Sequence, residues 1–228
     1  MLKTISIQEL QQRMMDPIQN RFPQETFDYQ TLLDILKDYS RPRNKISDLI
    51  RKKIIVRIKK GLYVLGDGYA RRPYSKELLA NLIYGPSYIS LDFALQYHGI
   101  IPERVEAVTS VTTGRSRRFS TPLGLFIYRT IPLSAFQLGM DRVDIENDTS
   151  FLIATPEKAM CDKIREDRGI QLRSLKDMQY YLYEHLRISE TSLIAMNPVN
   201  IKKIADRYRS GKIRLLKKLI DRITMRNS

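Results

Sequence analysis

The stretch RPRNKISDLIRKKIIVRIKKGLYVL, residues 41–65, decides how the N-terminal part of the chain is read. Ile46, Leu49 and Ile50 stand at i, i+3 and i+4, the spacing of one buried helix face. Advancing about 100° per residue puts Asn44, Asp48 and Arg51 near the opposite side, with Lys45 and Lys52 beside them. At Ile54 the helical period gives way to strand alternation. Ile54, Val56 and Ile58 alternate with Ile55, Arg57 and Lys59; Gly61 supplies a turn, and LYVL returns as a second strand. A basic helix therefore runs directly into a basic hairpin.

The charge distribution points the same way. The chain has 228 residues and a formal net charge of +14. Residues 41–60 hold nine basic groups and one acidic group, and residues 201–228 hold ten and two. Residues 61–200 are balanced and residues 1–40 are slightly acidic. A charge that served only solubility would be spread out; two clusters look like footprints for a polyanion. Arg41, Arg43, Asn44, Lys45, Arg51 and Lys52 are the candidate duplex contacts on the helix. Arg57, Lys59 and Lys60 are the candidate phosphate contacts on the hairpin. Asn and Arg are also the residue types suited to bidentate contacts with adenine and guanine edges.

Upstream, ISIQELQQRMM places Ile7, Leu10 and Met14 at helical spacing, and Pro17 and Pro23 bracket a connection. Thr26 is expected to cap a second helix, FDYQTLLDILKDY, with Asp28 in its first turn. Helix, helix, basic helix and basic hairpin is the order of a winged helix-turn-helix. GDGYARRPYS, residues 66–75, reads as a linker, so the expected domains are 1–70 and 71–228.

Beyond the linker the element types mix. SKELLANLIY is expected as a helix capped by Ser75, and SLDFALQYHGI as another, with Ser90 at its N-cap and Gly99 as its stop. VEAVTSVTT, RRFSTP and GLFIYRTI read as antiparallel strands, and TSFLIA as a further strand. Thr155 and Pro156 open the helix PEKAMCDKIRED. The rest is expected to be helical at about 174–186, 199–209 and 212–224. Ile213, Leu216, Leu219, Ile220 and Ile223 form the apolar face of the last segment. The fold class is thus α+β: a winged N-terminal domain, then a mixed α/β domain ending, after about residue 170, in a basic helical tail.

Chemical motifs are scarce. The two histidines, His98 and His185, are far apart, and His98 suits a helix C-terminus. No Cys/His pairs sit at zinc spacing, and no metal or cofactor is expected. Phosphate-loop and nucleophile-elbow patterns are missing. TTGRSRRFS, with Arg115, Arg117 and Arg118, reads as a basic hairpin tip; together with Lys217 and Lys218 it is a candidate second phosphate-binding surface. DRVDIEND, residues 141–148, lacks calcium-loop spacing and reads as a polar surface loop. The single cysteine, Cys161, excludes an intramolecular disulfide and suits a reducing cytoplasm. No apolar run is long enough to span a bilayer, and no apolar leader segment is present, so neither membrane association nor a signal peptide is expected.

Three segments resemble one family. RIKKGLYVL is similar to the wing of the AbiEi-type antitoxins of type IV, or abortive infection, toxin–antitoxin systems. GPSYISLDFALQYHGIIPE and FLIATPEKAMCDKI resemble two later hallmarks of that family, in the same order and spacing. The resemblance covers about residues 25–170; the first 25 residues and the helical tail carry no matching motif, and Asp92 and Phe93 stand where smaller residues are usual. It implies an N-terminal winged helix-turn-helix and a C-terminal antitoxin domain in a cytoplasmic, non-enzymatic protein. Such a protein binds inverted repeats in its own promoter, represses the operon, and counteracts a nucleotidyltransferase-like toxin, often without a stable complex. Two other functions fit the charge alone. One is an enzyme acting on nucleic acid, for which the scattered carboxylates offer no metal-binding pattern. The other is an interaction module gripping an acidic partner through residues 201–228.

Overall fold

The computed structural model describes residues 26–70, 73–145 and 149–227. The helix expected at ISIQELQQRMM lies outside the described residues. The chain is mixed α and β, with ten helices and two sheets among the described residues. It divides into two compact units. The first runs to Leu79 and takes in Thr121–Leu123; the second comprises Ala80–Ser120 and Gly124–Ser228.

Among the described residues the first element of the first unit is strand β1 (Thr26–Asp28), where a helix was expected to begin. Asp28 rather than Thr26 is the cap of helix α1 (Tyr29–Ile35), its carboxylate accepting from the Thr31 amide at 2.8 Å. β1 needs an extended backbone to pair with the hairpin, which displaces the helix start by two residues. Helix α2 (Pro42–Arg51) follows, then β2 (Ile55–Lys59) and β3 (Leu62–Leu65). The three strands form one antiparallel sheet in the order β1-β3-β2, so β3 is central and buried along its whole length. Phe27 and Tyr63, opposite each other in the β1–β3 register, stack with ring planes 7° apart. They join Leu32, Leu36, Ile46, Leu49, Ile55 and Leu65 in a single core.

The strict alternation expected for the first hairpin strand does not hold. The register shifts between Arg57 and Lys59, leaving Ile58 as the extra residue of a bulge. Ile55 and Ile58 are therefore buried on one strand although three positions apart. Gly61 turns the hairpin with φ 87°, a conformation that favours glycine. A second glycine is needed for a different reason. A Cβ on Gly66 would lie 2.0 Å from the backbone carbonyl oxygen of Lys53, while the Gly66 amide donates to Ile54 at 2.9 Å. Gly66→Ala is therefore expected to destabilise the first unit by about 1–3 kcal/mol. Gly68→Ala, with nothing within 4 Å of the new methyl, should be close to neutral. Thermal melts of the two variants followed by circular dichroism distinguish these outcomes.

The boundary between the units falls within helix α3 (Lys76–Ile83), whose start is capped by the Ser75 hydroxyl, as expected. The second unit holds a six-stranded mixed sheet. Its strands are β4 (Ser87–Ile89), β5 (Val108–Thr112), β6 (Arg117–Thr121), β7 (Gly124–Thr130), β8 (Met140–Ile145) and β9 (Thr149–Ala154), in the order β6-β7-β5-β4-β9-β8. The strands are not all antiparallel: β5 pairs with β7, and β4 with β9, in parallel. The central strands β4 and β5 are buried at every position, as parallel pairing with covered faces requires. β8 forms where a polar loop was expected, pairing antiparallel with β9 from Met140 to Ile145. Its mostly exposed side chains suit a solvated edge, which is why its sequence reads as a loop.

Helices α4 (Leu91–Tyr97), α5 (Leu133–Phe136) and α6 (Pro156–Glu166) accompany the sheet. α7 (Leu175–Tyr180) continues into a π-helical turn at Tyr181–His185, followed by α8 (Glu190–Ile194), α9 (Pro198–Tyr208) and α10 (Gly211–Asn227). α10 buries all five residues of its expected apolar face, which at about 1.5–3 kcal/mol each hold it firmly against its neighbours. Among the described residues no helix is long and apolar enough to cross a membrane.

Candidate nucleic-acid interface and a buried polar cluster

Helix α2 buries Ile46 and Leu49 and leaves Arg43, Asn44, Ser47 and Arg51 exposed. Arg41 stands at its N-cap position without making a cap, and Lys52 at its C-cap. Arginines beside a helix N-terminus oppose the helix dipole, so neither Arg41 nor Arg43 is placed there to stabilise the helix. Lys45 is half-buried, its ammonium 5.1 Å from the Tyr39 ring centroid. Asp48 is the one carboxylate of α2. It holds Arg51 at 2.6 Å and Lys52 at 3.0 Å, and hydrogen bonds from Arg51 first, then Lys52, keep its carboxyl below the usual range. Two of the candidate contacts are thus partly neutralised and fixed in direction. Arg41, Arg43, Arg57 and Lys60 make no ion pair among the described residues, and all four are exposed. The Ile58 bulge separates Arg57 from Lys59 and Lys60, so the hairpin's cations follow the bend of the bulged strand.

The other basic residues singled out from the sequence lie in the second unit. Arg115 precedes β6, and Arg117 and Arg118 lie on it; all three are exposed. The tip they belong to is tied down, since Thr130 donates from its hydroxyl to Gly114 at 2.7 Å and from its amide to the Ser116 hydroxyl at 3.0 Å. Lys218 on α10 is exposed, whereas Lys217 is paired with Asp221 at 2.5 Å.

A third arrangement was not anticipated. The segments beginning at Ser90 and at Thr155 meet in the core of the second unit. Ser90 occupies the N-cap position of α4, but its hydroxyl does not cap the helix. It donates instead to Asp162 Oδ2 at 2.6 Å. Thr109, on β5, takes over the cap: its hydroxyl oxygen accepts from the Phe93 amide at 3.1 Å and its hydrogen goes to the Ser90 carbonyl at 2.7 Å. Leu91, between these pins, is buried at φ 60°, a strained conformation for a bulky residue. Asp162 Oδ1 accepts from the Tyr208 hydroxyl at 2.5 Å and pairs with Lys158, and both ionic side chains are fully buried. Lys158 Nζ also lies 3.1 Å from the Tyr208 hydroxyl and 4.8 Å from its ring centroid. Burial first, and Asp162 second, push the Tyr208 phenol far above its ordinary value, so it serves as a donor. Nearer the surface Asp92 and Lys163 pair at 2.9 Å, joining the same two helices again. The signal available in the sequence was a Lys and an Asp four apart within the apolar run of PEKAMCDKI.

His98 closes α4 and donates from Nε2 to the Ala154 carbonyl at 2.8 Å, a packing role. Cys161 is buried, and burial pushes its thiol up. Among the described residues no group of three or more His, Cys, Asp or Glu could hold a metal ion. No protein-family model matches the chain, and no curated protein matches it.

Proposed function

We propose that the protein is a DNA-binding regulator that reads a duplex with α2 and the β2–β3 hairpin, in the manner of a winged helix-turn-helix. One observation carries this: α2 buries Ile46 and Leu49 while exposing Arg43, Asn44 and Arg51, and it leads directly into a hairpin carrying Arg57, Lys59 and Lys60. The element order strand, helix, helix, hairpin, with β1 completing the hairpin's sheet, supports the winged form. In this function α2 enters the major groove, and the hairpin touches flanking phosphates.

The antitoxin role is the second half of the proposal. It rests on the resemblance of the wing, the segment around residues 86–103 and the segment around 151–164 to AbiEi-type antitoxins. The protein would bind inverted repeats in its own promoter, act by binding and not by catalysis, and counteract a nucleotidyltransferase-like toxin in the cytoplasm. Mobility shifts with the DNA upstream of its own gene test the first half. Arg51→Ala should narrow the gap between that DNA and a scrambled duplex, because a base contact carries about 1–3 kcal/mol of discrimination. Lys60→Ala should weaken both duplexes alike. Indifference of both variants to either duplex would remove α2 and the hairpin as the reading surface. Growth rescue on co-expression with the product of an adjacent nucleotidyltransferase-like gene tests the second half.

A further inference from the structure

Arg165, Arg168, Arg209 and Lys212 line one open pocket of about 380 Å³ in the second unit, with Tyr208 and Ser210 between them and no carboxylate among its lining. The four cations come from separate places. Arg165 is in the last turn of α6, Arg168 just beyond that helix, Arg209 in the left-handed turn (φ 49°) after α9, and Lys212 in the first turn of α10. Arg165, Arg168 and Arg209 are exposed and make no ion pair among the described residues. Lys212 is fixed at the wall, donating to the carbonyls of Asp167 at 3.1 Å and Ile170 at 2.6 Å.

Acids on the flanking elements are paired with other cations: Asp167 with Lys163 at 3.2 Å and Asp206 with Arg214 at 3.5 Å. Glu166 and Asp162 line the small cavity adjoining it, where Glu166 pairs with Arg129 at 3.2 Å and Asp162 with Lys158. A solvated helix face normally interleaves its charges, as residues 61–200 do in balance overall. Here three elements bring like charges into one concavity, where they repel unless an anion joins them. Guanidinium groups suit the oxygens of phosphate, which they bind through paired N–H donors. Ser210 caps α10, its hydroxyl accepting from the Ile213 amide at 3.4 Å, so the positive end of that helix adds to the same field.

We propose that this pocket is a binding site for a phosphate group of high charge. It shares no residue with α2 or the hairpin, so it stands or falls apart from the DNA-reading surface. The phosphate has two sources to separate: a free phosphate compound, or the backbone of nucleic acid. Titration calorimetry of the full chain with inorganic triphosphate probes the first, and duplex affinity of the same protein probes the second. The double variant Arg168→Ala/Arg209→Ala removes exposed side chains and should leave the circular dichroism spectrum unchanged. It is expected to weaken triphosphate about tenfold or more. Ser210→Asp keeps a cap on α10 yet places an anion in the pocket, and should do the same. Arg43→Glu should leave triphosphate binding untouched. If triphosphate does not bind but the double variant lowers duplex affinity about tenfold, the source is the nucleic-acid backbone. If neither ligand is weakened by either pocket variant, the proposal is overturned.

Discussion

Asp162→Ala is expected to cost the second unit about 3–5 kcal/mol, the largest single effect on stability in the molecule. The side chain is fully buried, and among the described residues it is the one carboxylate paired with Lys158, which is buried as deeply. Removing it strands an ammonium in a space whose other neighbours are the Tyr208 hydroxyl and the rings of Tyr88 and Tyr208. It also leaves the Ser90 and Tyr208 hydroxyls without their acceptor. Lys158→Met should cost a similar amount, for the opposite reason of an unpaired carboxylate. Lys158→Met combined with Asp162→Leu should cost markedly less than the sum of the two, because the desolvation penalty disappears with both charges. Urea unfolding followed by circular dichroism measures all three. Additive single effects, or a loss below about 1 kcal/mol for Asp162→Ala, would contradict the buried-pair account.

Reversing three charges on the proposed DNA-reading surface should abolish measurable operator binding. Arg43→Glu, Arg57→Glu and Lys60→Glu are all at exposed positions without ion pairs among the described residues, so the fold should tolerate them. The wild-type protein should lose affinity steeply with salt, with a slope of about −0.9 per phosphate neutralised. If roughly six of the candidate residues make phosphate contacts, affinity falls about a thousandfold between 50 and 200 mM salt. Arg51 and Lys52 should contribute less than full counts to that slope, because Asp48 already offsets part of their charge. Fluorescence anisotropy across a salt series gives the slope for the wild-type protein and shows whether the triple variant binds at all. Equal affinities and equal slopes would falsify the assignment of this surface.

The elements that sequence periodicity places correctly are those whose structure is decided locally. α10 buries every residue that its spacing selects, α2 buries Ile46 and Leu49 and packs the half-buried Ile50 against the same core, and Ser75, Thr155 and Gly99 start or stop helices where expected. The departures have long-range causes. β1 replaces the first turn of an expected helix because the hairpin, some 35 residues later, offers it a partner. The parallel pairs β5–β7 and β4–β9 join strands that no turn connects, so local signals carry no information about them. β8 is too polar to be seen as a strand until β9 is beside it. The exposed basic side chains of α2 and the hairpin were legible, because charge patterning survives in the sequence. The ties from Asp48 were not singled out, although their i, i+3 and i, i+4 spacing is local. The cluster of Ser90, Lys158, Asp162 and Tyr208 was hidden because its members are spread over 119 positions and each has an ordinary local explanation.

The exchange of caps at the start of α4 has a consequence for how the chain acquires its structure during synthesis. Helix 91–97 emerges from the ribosome without the group that closes its first turn, since that group belongs to Thr109, 16 residues later from the Phe93 amide it serves. The Ser90 hydroxyl then waits for a carboxylate 72 residues further on. A helix of seven residues has little stability alone. Its formation is therefore a late, non-local step, completed only when the sheet and α6 have been made, and the second unit should fold more slowly than its helix content suggests.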